Sequence, residues 1–133
     1  MERVKEILNE LMREMEIDET IKLRIVPMKQ KVASLSFKTR VLRLNRKAVE
    51  VLNDEEIRYI LIHELIHFKT KNVNHGSSFL RELEKRYSLE EAYSFEIEIV
   101  RKLLEVYKPG VSIELCKFYH AFNFSPKISA DRK

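Results

Sequence analysis

His63, Glu64 and His67 stand together in His63-Glu64-Leu65-Ile66-His67, and their types and spacing are those of a hydrolytic metal site. Residues four apart on a helix lie one turn from each other, with Cβ atoms roughly 5–6 Å apart. Two imidazoles so placed reach a single Zn²⁺ at about 2.0–2.1 Å. The Glu beside the first His falls on the same side, displaced enough to address water rather than the metal. Zinc acidifies that water, and the Glu takes its proton as the water attacks a polarised carbonyl. Around these three residues Ile57, Ile60, Leu61, Ile62, Leu65, Ile66 and Phe68 cover most of the helix circumference. They predict a helix buried nearly all round, in which an unpartnered carboxylate would cost several kcal/mol. A metal removes that cost.

A catalytic zinc takes three protein ligands and keeps a fourth position open. Two residues qualify for the third place. His75 lies eight residues after His67 in Asn74-His75-Gly76-Ser77-Ser78-Phe79, where the chain has ended one helix and begins another. Glu96 is the alternative. On a helical wheel it sits at the centre of an apolar face made by Ala92, Tyr93, Ile99, Val100 and Leu103, among others. A carboxylate there needs a partner: zinc itself, the outer N–H of a liganding His, or a buried Lys or Arg.

The elements that must position these residues are legible in outline. Residues 2–16 set Val4, Ile7, Leu8, Leu11, Met12 and Met15 at helical spacing. A strand is expected at 21–26, ending at Pro27, and two more at 32–37 and 41–45 joined by Lys38-Thr39-Arg40. Asn53 and Glu56 have the spacing of a capping box and open a helix that runs to about Lys71. Further helices are expected at 77–87 and 89–107, the second stopped by Pro109-Gly110. The fold class is α+β: a small three-stranded sheet packed on a helical half. Residues 1–110 form the catalytic unit and 111–133 a separate C-terminal segment, in which Val111, Ile113, Leu115, Phe118, Tyr119 and Phe122 are apolar.

The bulk composition narrows the function classes. The chain has 133 residues, 44% hydrophobic and 35% charged, as befits one folded domain. No apolar run approaches the roughly 20 residues of a membrane span. One cysteine, Cys116, allows no internal disulfide and points to the cytoplasm. The net charge of +4 is modest, and the charges read as interspersed rather than gathered into one stripe, so nucleic acid is not the expected partner.

HELIH followed by NHGSSF resembles the SprT/Spartan-like and related small zincins, and the stretch from Ala33 into the site helix is similar to that group as well. Size and element order resemble most the archaeal minigluzincins, minimal soluble relatives of membrane-embedded gluzincin peptidases. The resemblance covers about residues 33–96. It implies a minimal zincin fold, zinc-dependent hydrolysis of polypeptides, and His63, His67 and His75 as the ligand set with Glu64 as general base. It implies an edge strand that pairs with the substrate, with 33–37 as the candidate. It also implies latency through the C-terminal segment, in its own chain or exchanged in a homodimer; Cys116 and His120 there are candidates for the open zinc position. No Arg or Trp motif precedes the strand as in many SprT-like proteins, which points away from a DNA-repair substrate. The competing class is a non-catalytic zinc-binding module that holds a protein partner.

Overall fold

The computed structural model describes residues 2–29, 31–72 and 74–106, with the backbone of 112–113 and 128–129. Its elements follow in the order α1 (Glu2–Glu14), β1 (Lys22–Val26), β2 (Ala33–Leu35), β3 (Val41–Asn45), α2 (Arg46–Val51), α3 (Asp54–Thr70), α4 (Ser77–Glu84), α5 (Leu89–Leu104), β4 (Ser112–Ile113) and β5 (Ile128–Ser129). The α+β reading holds, and the main sheet has three strands in the order β1-β3-β2.

Alternation builds that sheet. In β3, Leu42 and Leu44 are fully buried while Arg43 between them is exposed. β1 runs parallel to β3, from Lys22↔Val41 to Val26↔Asn45, and β2 runs antiparallel, from Ala33↔Leu44 to Leu35↔Leu42. Both β1 and β2 are therefore edges. The β2 ladder extends past the strand at each end, through Asn45 N–H to the Val32 carbonyl at 2.8 Å and Ser36 N–H to the Val41 carbonyl at 3.1 Å.

One element was not expected. The short helix α2 stands between β3 and the site helix, started by Asn45, whose side chain accepts from the Lys47 N–H at 3.0 Å. Asn45 is buried, and its amide also donates to the Lys31 carbonyl at 2.8 Å. One side chain thus ends the strand, caps the helix and ties down the loop before β2.

The site helix α3 is fixed at its start by the expected capping box: Asn53 Oδ1 accepts from Glu56 N–H at 2.8 Å, and Glu56 Oε1 from Asn53 N–H at 3.0 Å. From Tyr59 to Phe68 every residue of α3 is buried. Against it α1 lays Val4, Leu8 and Leu11, each buried, and Arg58 of α3 reaches Glu10 at 2.7 Å and Glu14 at 3.1 Å. α5 supplies Ala92, Ile99, Val100 and Leu103 to the same core. Helix α5 ends at Leu104, short of the expected Tyr107; the Pro109-Gly110 stop lies outside the described residues, as do Cys116 and His120.

The charges are not interspersed. Between Ile21 and Val49 stand nine Lys or Arg residues and no Asp or Glu, so the charged residues of the main sheet's strands are all basic.

Candidate metal centre

His63 and His67 emerge from the middle and last turns of α3, on one side of it, as the four-residue spacing requires. Helix α3 ends at Lys71, which takes the left-handed conformation (φ 54°, ψ 39°) and donates its N–H to the His67 and Phe68 carbonyls. This turn reverses the chain. It brings the Asn72 carbonyl onto the His67 ring, which donates from Nδ1 at 2.9 Å. Asn72 Oδ1 then accepts from the Asn74 N–H at 2.8 Å, and the chain re-enters the site at His75, just before α4.

His75 Nε2 lies 3.0 Å from His63 Nε2 and 3.0 Å from His67 Nε2. Three ring nitrogens that face one another so closely are what a tetrahedral ion with bonds near 2.0–2.1 Å requires, since its ligand–ligand edges are about 3.3 Å. Among the described residues these three His form the group able to hold a metal. The Nδ1–H to Asn72 leaves the His67 Nε2 lone pair aimed into the cluster, a pairing that fixes the tautomer a metal needs.

Protonation favours the same use. Burial, then the neighbouring His67 and His75, holds His63 well below the ordinary imidazole range; burial also lowers His67, with the Asn72 bond pulling the other way. Both are therefore neutral donors at neutral pH. Glu64 is buried, which pushes its carboxyl up to about 8, the Lys31 charge opposing. A dication at the three His would favour the carboxylate.

Phe79 of α4 is the floor under all three rings. It is fully buried, and its ring centroid lies 4.9 Å from His63, 4.8 Å from His67 and 4.7 Å from His75. Phe79 lies in NHGSSF, but its role under the rings does not follow from that segment. Its position four residues after His75, at the start of an amphipathic helix, was the available signal.

Glu96 is buried on α5, as the wheel predicted, and the three-His group does not include it. Its Oε2 accepts from the hydroxyl of Tyr59 at 2.5 Å. Tyr59 stands one turn before His63 on α3, stacked on Phe95 at 5.2 Å and edge-on to Tyr87 at 5.3 Å. The carboxylate's partner is thus a tyrosine rather than zinc, a histidine N–H or a buried Lys or Arg. The neighbouring Tyr93 is exposed.

Comparisons with known proteins place the chain in a family and a fold. Residues 1–93 match the family model described as YgjP-like, metallopeptidase domain. The uncharacterized protein MJ0123 of Methanocaldococcus jannaschii is 48% identical over 101 residues, which are 76% of this chain and 92% of the relative. Two crystal structures of metallopeptidase zymogens share the fold. Jannalysin of M. jannaschii matches with a TM-score of 0.71 and 48% identity, over 75% of this chain and 96% of that one. Abylysin of Pyrococcus abyssi matches with a TM-score of 0.71 and 38% identity, over 75% and 94%. With its fold, its clustered histidines and its buried glutamate in place, the chain belongs to the YgjP-like metallopeptidase family and is a minimal metallopeptidase.

Proposed function

We propose that this protein hydrolyses peptide bonds in polypeptides with zinc held by His63, His67 and His75 and with Glu64 as general base. The observation that carries the reading is the convergence of three imidazole Nε2 atoms at a helix that also buries the Glu64 carboxylate, next in sequence to His63. Bound zinc supplies Lewis acidity, which acidifies a water and polarises the scissile carbonyl. The chain's own groups do the rest. Glu64 takes the proton of the attacking water and returns it to the leaving amine nitrogen. Asn72 holds His67 in its tautomer, and Phe79 keeps the rings in place.

The edge strand β2 is the proposed seat of the substrate. Val32 and Ser36 spend their backbone groups on β3, so by alternation Ala33 and Leu35 turn theirs to the edge that is open among the described residues. An extended peptide adds there as a further strand.

We further propose that residues 1–110 are the catalytic unit and that 111–133 covers the cleft, within the chain or by exchange in a homodimer. The zymogen state of jannalysin and abylysin supports this. The decisive comparison is between the wild type and Glu64→Gln, each as the full chain and truncated after Tyr107. Expected are equal zinc contents, hydrolysis of an unfolded protein by the truncated wild type, and a loss of at least about a hundredfold with Gln. Zinc binding with no hydrolysis by any form would leave a non-catalytic module. Equal activity with and without 111–133 would remove latency.

A further inference from the structure

The nine basic residues between 21 and 49 are set against a remainder with 16 basic and 21 acidic residues. Eight of the nine are exposed and Lys31 is half-buried. None of them forms an ion pair among the described residues, although ten such pairs tie other parts of the molecule together. Arg24 stands in register with Arg43 across β1 and β3, an arrangement of like charges that costs stability. Lys31 acts on the buried Glu64; the exposed remainder of the block, which repels itself and contains no acid, is complementary to an anion.

Its position says which anion. Ser34 of β2 is in register with Arg43, so Arg24, Arg43 and Ser34 form a row across the outer face that ends at the open edge. Lys31 precedes β2, and Lys38 follows it in the turn to β3. Strands lie about 4.8 Å apart, which puts a strand added to β2 roughly 10 Å from the Arg43 backbone. Only the short Ser34 side chain intervenes, so an extended arginine spans most of that gap. Every second side chain of the added strand would face this row.

We propose that this basic edge is the specificity element of the peptidase and selects polypeptide segments rich in Asp and Glu, seated as an extra strand on β2. The proposal rests on the strand-addition reading given above. A nucleic acid is the competing polyanion. Its phosphates can accept from an N–H but cannot donate to a C=O, so they do not pair with the alternating groups that Ala33 and Leu35 leave unpaired among the described residues, whereas a peptide uses both the charge and the edge.

The test is binding to the Glu64→Gln protein with zinc present, both as the full chain and truncated after Tyr107 so that a covering 111–133 segment cannot mask the edge, followed by fluorescence anisotropy. The probes are a labelled alternating Glu-Val peptide, its Gln-Val counterpart, the Glu-Val peptide N-methylated at every second backbone nitrogen, and a single-stranded oligonucleotide. At 0.05 M salt the acidic peptide should bind about tenfold tighter than the neutral one, and the ratio should fall below about threefold at 0.5 M as the charges are screened. Lys38→Glu with Arg43→Glu should bring the ratio to one or below, and the milder pair Lys38→Gln with Arg43→Gln should roughly halve its logarithm. Equal binding of the two peptides, a ratio untouched by both pairs of substitutions, or tighter binding of the oligonucleotide than of the acidic peptide would each overturn the proposal. N-methylation should weaken binding about tenfold. If it does not while the charge preference stands, the seat on β2 is wrong and the acidic selectivity survives without it.

Discussion

Helix α3 carries two buried polar clusters one turn apart. Toward its start Tyr59 donates its hydroxyl to the buried Glu96, and Phe95 and Tyr87 pack on the Tyr59 ring. Further on, His63 and His67 meet His75, three ring nitrogens pointed at one another with Phe79 beneath. The first cluster is complete as it stands, because a donor meets an acceptor. The second brings three ring nitrogens to one point, where a metal ion would take a lone pair from each. Buried polarity made of one donor and one acceptor holds elements together, whereas ligand-type nitrogens converging on a point are suited to binding an ion.

The contrast breaks most readily at His75. His75→Ala should lower zinc affinity about a thousandfold, or about 4 kcal/mol, with little change in the melting of the zinc-free protein. Competition against a chromophoric chelator measures the first quantity. A retained affinity would hand the third position to another residue, with Glu96 first in line.

The next largest effect belongs to the closed cluster and concerns pH. Burial pushes Glu96 up to about 7 from its ordinary 4.5, the Tyr59 bond pulling partly back. The folded chain therefore holds a proton that the unfolded chain releases above pH 4.5. The contribution of this group to stability is full below that value and is lost as pH rises to about 7. Glu96→Gln removes the loss, so its stability relative to wild type should grow by roughly 3 kcal/mol between pH 4 and pH 8. Urea unfolding at the two pH values reads it, and a pH-independent difference would show that Glu96 ionises freely.

Tyr59→Phe should give the smallest effect, about 1–3 kcal/mol of lost stability at pH 8, where the carboxylate is left without its donor. Its zinc affinity should stay within about threefold of wild type. A larger loss of zinc would make Tyr59 a support of His63 and merge the two clusters into one.

Much of this was legible before any coordinates. Helical spacing found His63, Glu64 and His67, and the apolar residues around them announced a buried helix, because periodicity reports burial directly. The place of His75 rested on resemblance. Its return depends on a left-handed turn at Lys71, and no pattern marks a lysine for that conformation. Helix α2 is not legible because six residues show no period, and Asn45, which ends a strand, also starts a helix with its side chain. The partner of Glu96 lies 37 residues away on a face shared by two helices, a pairing that one sequence does not encode. The basic block at 21–49 was readable throughout; charge counted over the whole chain concealed it.

The three histidines span residues 63 to 75, a single helix end and its turn. Such a site is assembled from near neighbours, and closing so short a loop costs little entropy. The same nearness follows the chain into its unfolded state, where His63, His67 and His75 remain within reach of one ion. Zinc will then bind the unfolded chain as well, and its lift in melting temperature will understate its affinity for the native protein. A metal site this local can take its ion early in folding, before the sheet has closed over the other side of the helix.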